Sequence, residues 1–316
     1  MEILRGKNIN IDGPTVATIG TFDGVHIGHQ KIIEDTVKLG RAKHLPSVLI
    51  TFDRHPRTVI SPDVDLQALT TLESKISLLS SMGLDYLVLL EFDETMSRLS
   101  PSDFSKQILI DKLKVSHLFV GENFRFGKKA AGNAEFLKTY GEAHDFGVDI
   151  EPLLRVDGDI VSSTKIRSLI VSGEMEKVPK LLGRYYFISG EVTKGAGRGV
   201  KLGFPTANLK MDESLCLPKV GVYSGFFWIG DRSYPCVINV GSNPTFGPGK
   251  VHLEAFIFDF SKDIYGEHVR VELQRYQRSE EKFASITDLI DQIALDSDSA
   301  KDWLSRSKPT AVFNIT

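Results

Sequence analysis

Near residue 184 the pattern of apolar runs changes, and that change limits what the chain can fold into. Before it, short and nearly continuous apolar runs at 15–20, 47–52, 86–92, 115–120 and 148–156 alternate with helical patterns. Such runs read as strands buried on both faces. Ile32, Ile33, Val37 and Leu39 form a helical pattern after the first run. Leu72, Ile76, Leu79 and Met82 do so after the second, with Gly83 as the stop. Ser100-Pro101-Ser102-Asp103 places a cap, a Pro and an acid ahead of Ile108, Leu109 and Leu113. This alternation predicts an α/β fold with a parallel sheet. After it, runs at 185–192, 221–229, 234–240, 251–260 and 268–276 are separated by Gly, Pro and Asn, with no helix between them. That half predicts an antiparallel β-barrel, closed by one terminal helix with Ile286, Leu289, Ile290 and Ile293 on a shared face.

A chain of 316 residues fits two domains at roughly 150 residues each. Residues 173–183 read as the linker, which predicts domains at 1–182 and 183–316. The hydrophobic fraction of 41% and charged fraction of 25% are those of a globular protein. No apolar run is long enough for a membrane span, and residues 1–8 carry no apolar signal region. Two cysteines, Cys216 and Cys236, cannot build a disulfide framework or a zinc cluster, so a reducing cytoplasm is the expected location. Residues 1–182 hold 22 Lys/Arg against 25 Asp/Glu, and residues 183–316 hold 16 of each. Neither half has the basic excess of a nucleic-acid binder, and no polybasic run points to a membrane. A monomer is the default expectation.

The first apolar run passes straight into Gly20-Thr-Phe22-Asp23-Gly24-Val-His26-Ile-Gly28-His29. Its glycines allow a tight turn and close backbone approach. The two histidines then fall at a helix start, where amides and dipole favour anions. Two ordinary surface histidines, or a His-x-x-His metal pair, would read the same way. Only Asp23 has ligand spacing, so phosphate binding is the stronger reading. Farther on, Ser162-Ser163-Thr164-Lys165-Ile-Arg167 puts hydroxyls at a helix start, ordinarily a simple cap. Two cations in that first turn oppose the helix dipole unless an anion sits there. Gly121-Glu-Asn123-Phe124-Arg125-Phe-Gly127-Lys-Lys129 only superficially resembles a P-loop, with five residues between its glycines and Lys129 in place of Ser/Thr. Its Asn and paired Phe suit stacking on a planar ligand, or simply a buried loop.

Gly20–His29 and Ser162–Arg167 resemble the HxGH and SSTxIR signatures of nucleotidyltransferases. Together with residues 51–56 and 121–127, the first half is similar to bacterial FMN adenylyltransferases. That resemblance implies a Rossmann-like domain in which His26 and His29 are catalytic, holding ATP phosphates and stabilising charge at the reacting α-phosphorus. It implies ATP and phosphate contacts at Gly20, Phe22, Asp23, Gly28, Ser163, Thr164 and Arg167, and flavin contacts at Asn123, Phe124 and Arg125. An FMN phosphate is already an anionic nucleophile, so positioning and charge neutralisation suffice.

In the second half, Lys194-Gly195-Ala-Gly197-Arg-Gly199-Val-Lys201-Leu-Gly203-Phe204-Pro205-Thr206-Ala-Asn208 carries four glycines in nine positions. Pro205 forbids a helix directly after them, which excludes a dinucleotide fingerprint. A phosphate-covering loop and a flexible hairpin both remain open. Thr206 and Asn208 point the same way in an extended segment and offer hard oxygen ligands suited to Mg²⁺, or an Asx turn. Glu254 shares a strand face with His252, Phe256 and Phe258, as a solvated edge residue or as a partly desolvated base.

This half resembles riboflavin kinase at residues 195–208, 221–225, 239–246, 263–266 and 278–283. The resemblance implies that Thr206 and Asn208 hold ATP-bound Mg²⁺. It also implies that Gly195, Gly197, Lys201, Gly203 and Pro205 contact ATP, that Arg278 contacts flavin, and that Glu254 takes the proton from the riboflavin 5′-hydroxyl. Both signatures in this order are similar to the bacterial bifunctional riboflavin kinase/FMN adenylyltransferases, or FAD synthetases. The implied ligands are riboflavin, FMN, FAD and ATP.

Overall fold

A computed structural model of the chain describes residues 1–6, 9–60, 67–195, 197, 199, 202–242 and 251–310. Contacts divide the chain into two compact units, Met1–Leu66 with Lys75–Ser162, and Gln67–Ser74 with Ser163–Thr316.

The first unit is built on a six-stranded, all-parallel sheet. Its strands are β1 (Glu2–Arg5), β2 (Thr15–Ile19), β3 (Ser47–Phe52), β4 (Tyr86–Leu90), β5 (Val115–Gly121) and β6 (Gly147–Glu151), in the order β1-β4-β3-β2-β5-β6. Every residue of β2 and β3 is buried, the physical reason they read as unbroken apolar runs. Helices α1 (Ile27–Lys43) and α2 (Leu72–Ser80) follow β2 and β3. Winding reverses at β2, with β3 and β4 on one side and β5 and β6 on the other. The carboxyl ends of strands at such a reversal form the ligand crevice of open α/β sheets. Ser100 caps α3 (Pro101–Phe104) by accepting the Asp103 N–H at 3.0 Å, the helix widens to a π-helical stretch, Ser105–Lys112, and α4 (Ala134–Glu142) leads into β6.

Three details differ from the sequence reading. Edge strand β1 carried no apolar-run signal because its residues are mostly exposed. The run at 148–156 breaks at Pro152, after which Arg155–Val156 pairs with Asp159–Ile160 in a hairpin. The expected linker contains a helical turn, Val178–Leu182, ended by Gly183 in the left-handed region.

The second unit is a closed antiparallel barrel of β7 (Tyr186–Thr193), β8 (Thr206–Met211), β9 (Gly221–Ile229), β10 (Arg232–Ser242), β11 (Val251–Ile257) and β12 (His268–Arg278). Strand β7 joins both β8 and β12 and so closes the ring β7-β8-β11-β10-β9-β12. The fully buried Tyr223, Ile238, Ala255, Val271 and Leu273 occupy its strands. The terminal helix α6 (Ile286–Arg306) starts with a capping box between Ser285 and Asp288. Its buried face lies farther along than the apolar pattern indicated. Ile286 is exposed, while Ala300 and Leu304 cluster with Val222, Phe226, Trp228, Val237 and Phe258.

Candidate active sites

At the end of β2 the chain turns through Phe22 (φ 48°), Gly24 (φ 79°) and Val25 (φ 41°), all in the left-handed region. For a β-branched residue that conformation is an outlier that costs about 1–3 kcal/mol and persists only where surroundings enforce it. Phe22 is buried, the Val25 N–H donates to the Phe22 carbonyl, and the Gln30 amide donates to the Val25 carbonyl at 2.8 Å. His26 then caps α1, its Nδ1 accepting the His29 backbone N–H at 3.2 Å. The two imidazoles stack with centroids 3.5 Å apart, and Phe22 meets His29 edge-on at 5.1 Å. A Cβ on Gly28 would come within 3.2 Å of the His26 ring, and one on Gly20 within 3.2 Å of the Phe22 ring. Gly20, Phe22, Asp23, His26, Gly28 and His29 therefore converge at one strand–helix turn, with Asp23 and His26 buried.

Burial, followed by the neighbouring His26 and Lys75, holds the His29 imidazole well below its ordinary pKa. Its Nδ1 is buried without a hydrogen-bond partner. Lys75, on α2, is absent from the sequence reading. Its ammonium donates to the Thr21 carbonyl at 3.2 Å, the Thr51 hydroxyl at 3.4 Å and the Phe52 carbonyl at 3.5 Å. No sequence signal singles it out, because Glu73, Ser74 and Ser77 surround it as they would a surface lysine.

Asn123, Phe124 and Arg125 follow β5, the parallel neighbour of β2, so they leave the sheet at the same edge. Phe124 stacks on Phe126 at 5.5 Å, Asn123 and Arg125 are exposed, and a Cβ on Gly121 would come within 3.3 Å of the Asn123 amide oxygen. Ser163, Thr164 and Arg167 lie on α5 (Ser163–Ser172), which contacts group with the barrel unit. Arg167 donates to the Gln67 carbonyl at 2.6 Å.

In the barrel, β8 and β11 pair Thr206 with Phe256 and Asn208 with Glu254. The Thr206 hydroxyl donates to the Glu254 carboxylate at 3.3 Å, and His252 Nε2 lies 3.7 Å from the other carboxylate oxygen. A Cβ on Gly195 would fall 2.2 Å from the Asn208 amide, and one on Gly199 2.3 Å from the Phe204 carbonyl. These glycines let the loop backbone lie directly on the strand carrying Thr206 and Asn208. Gly197 and Gly203 take positive φ, and Pro205 is exposed. Lys201 lies outside the described residues. Phe204 meets Phe256 edge-on at 5.2 Å. A cavity of about 210 Å³ is lined by Phe204, Phe256 and Phe258 and by Ala294 and Lys301 of α6.

Arg278 is engaged within the fold. Its guanidinium forks onto Asp296 of α6 at 2.7–3.2 Å, raising its pKa, and donates to the Ser279 carbonyl. Among the described residues, no group of three His, Cys, Asp or Glu side chains could hold a metal ion. The oxygen donors Thr206 and Asn208 suit a hard cation that takes its remaining ligands from phosphate and water, with the Glu254 carboxylate beside them.

The chain thus pairs a parallel α/β unit, whose helix N-terminus carries two stacked histidines, with a closed barrel whose glycine loop lies on the Asn208 amide and near the Thr206 hydroxyl. A family model described as FAD synthetase matches residues 8–165, and one described as riboflavin kinase matches residues 182–304. The bifunctional riboflavin kinase/FMN adenylyltransferase of Buchnera aphidicola is 35% identical, covering 96% of this chain and 99% of its own. Its counterpart in Escherichia coli K12 is 32% identical over 98% of this chain and 100% of its own. That of Bacillus subtilis is 35% identical, at 92% and 93% coverage. The chain belongs to the bifunctional riboflavin kinase/FMN adenylyltransferase family. A crystal structure described as a macrolide-efflux protein from Streptococcus pneumoniae shares the fold at a TM-score of 0.88 and 30% identity, covering 96% of this chain and 100% of that one. No helix among the described residues of the present chain is long and apolar enough to cross a membrane.

Proposed function

We propose that residues 183–316 phosphorylate riboflavin to FMN with ATP and Mg²⁺, that residues 1–182 transfer the adenylyl group of a second ATP to FMN, and that both steps run in the cytoplasm. The observation that carries this reading is the contact of Thr206 with Glu254 under a glycine loop, in the same chain as the stacked His26–His29 pair. Both cysteines are buried, in keeping with a reducing compartment.

In the kinase step, Thr206 and Asn208 would hold the ATP-bound Mg²⁺, which neutralises phosphate charge. Glu254 accepts the proton of the riboflavin 5′-hydroxyl as that oxygen bonds to the γ-phosphorus and ADP leaves. The neutral alcohol is a poor nucleophile, so a base has a purpose here. Gly195, Gly197, Gly203 and Pro205, with Lys201, line the ATP path in this reading.

In the adenylyl step, an FMN phosphate oxygen bonds to the α-phosphorus of ATP and pyrophosphate departs. Nδ1 of His26 is occupied by the His29 amide, so the ring carries its proton on Nε2 and presents a donor to phosphate oxygen. Burial holds the His29 imidazole well below its ordinary pKa and so favours its neutral form. Ser163, Thr164 and Arg167 are assigned to the pyrophosphate end, and Asn123, Phe124 and Arg125 to the flavin. Labelled ATP tests both steps. The γ-label should appear in FMN and the α-label in FAD, and no label in either flavin would refute the reading.

A further inference from the structure

We propose that Lys75 is a positioning residue of the adenylyl-transfer site, tying the ends of β2 and β3 together where the histidine turn begins. The inference rests on the adenylyl-transfer reading above.

An ammonium has three protons, and Lys75 directs hydrogen bonds to three oxygens from two adjacent strand ends, those of Thr21, Thr51 and Phe52. The Thr51 hydroxyl also donates to the Thr21 carbonyl at 3.2 Å, so one junction fixes both chains. Thr21 immediately precedes Phe22, the first left-handed residue of the turn that delivers His26 and His29. A strained turn keeps its shape only when surrounding contacts over-determine it, and Lys75 supplies such contacts at its start.

The three acceptors are neutral oxygens, so none of them cancels the Lys75 charge. Charged and titratable groups face this region from several elements. Asp23 lies on the turn after β2, Asp53 follows β3, and His26 and His29 begin α1. Asp53 is shared with Arg54 at 3.2 Å and with the Phe92 N–H at 3.0 Å. After burial and the neighbouring His26, Lys75 is the third influence that favours the neutral form of His29, and its charge stands beside the turn assigned to the polyphosphate.

The test uses the purified full-length chain with Lys75→Met, Lys75→Gln and Lys75→Arg. Adenylyl transfer from ATP to FMN is followed over roughly pH 5.5–8.5, the range in which histidine titrates, and the His29 imidazole is titrated by NMR. Lys75→Met should lower kcat about 10- to 100-fold, the scale of misplaced reacting groups, with a smaller change in the KM for FMN. His29 should titrate at higher pH in that variant, while Lys75→Arg should restore its wild-type position and most of the rate. A folded Lys75→Met protein with wild-type kcat and an unmoved His29 would overturn the proposal, as would failure of Lys75→Arg to restore the titration. If Met prevents folding, Lys75→Gln decides by the same two readouts. A wild-type chain that makes no FAD from FMN and ATP would instead refute the adenylyl-transfer reading.

Discussion

His26 accepts the backbone N–H of His29 through Nδ1 at 3.2 Å, and the same pair of rings stacks face to face. One side chain thus completes the helix start and aims its remaining nitrogen away from it. The two duties separate by substitution. His26→Asn should keep a cap of similar quality and so preserve thermal stability, whereas His26→Ala should lose about 1 kcal/mol of it. Both should stop FAD formation and let FMN accumulate. Thermal unfolding and flavin chromatography on the two variants check this, and FAD output in His26→Asn equal to wild type would remove the ring from catalysis.

Glu254 accepts from Thr206 and stands beside His252, an arrangement that Glu254→Gln reproduces in shape without the basic carboxylate. Riboflavin phosphorylation should fall about 10²- to 10⁴-fold, the share of general base catalysis, while supplied FMN is still converted to FAD. A solvated edge glutamate would tolerate the change. Assaying each half-reaction on the same preparation distinguishes the two.

Gly195 faces the Asn208 amide closely enough that any Cβ must displace the loop. Gly195→Ala should therefore raise the kinase KM for ATP about tenfold or more, equivalent to about 1.4 kcal/mol of lost binding. Melting temperature should hardly move, because the glycine lies outside the barrel strands. Steady-state kinetics at varied ATP is the check.

Burial pushes the Glu272 carboxyl above its ordinary pKa, against opposing hydrogen bonds from Gln274 and Thr310 and the charge of Arg270. A raised carboxyl binds more protons folded than unfolded, so its contribution is full below the unfolded pKa and is lost as pH rises through the folded one. Glu272→Gln should flatten the pH dependence of stability across that window and leave stability at neutral pH equal or higher. Urea unfolding from acid to neutral pH reads this out. A variant whose stability falls as steeply as wild type would show that another group governs the slope.

Local features were legible from the residues alone. The turn from Gly20 to His29 is short and glycine-rich, so its geometry follows from neighbours in sequence, and doubly buried strands such as β2 and β3 announce themselves as apolar runs. Strand β8 did not, because only Leu209 among its six residues is buried and no alternation stands out. Lys75 reads as a surface lysine until the fold brings β2 and β3 against it. Arg278, a flavin contact by resemblance, gains its Asp296 partner only once α6 is in place. Each of these depends on partners far away in sequence, which periodicity cannot register.

Incubation of the full-length chain with riboflavin, ATP and Mg²⁺, with flavins separated by chromatography as ADP and pyrophosphate are followed, tests the central claim most directly. The account predicts that FMN rises first and FAD follows, with ADP released in the first step and pyrophosphate in the second. Flavin that binds but stays unmodified, with neither ADP nor pyrophosphate released, would contradict it.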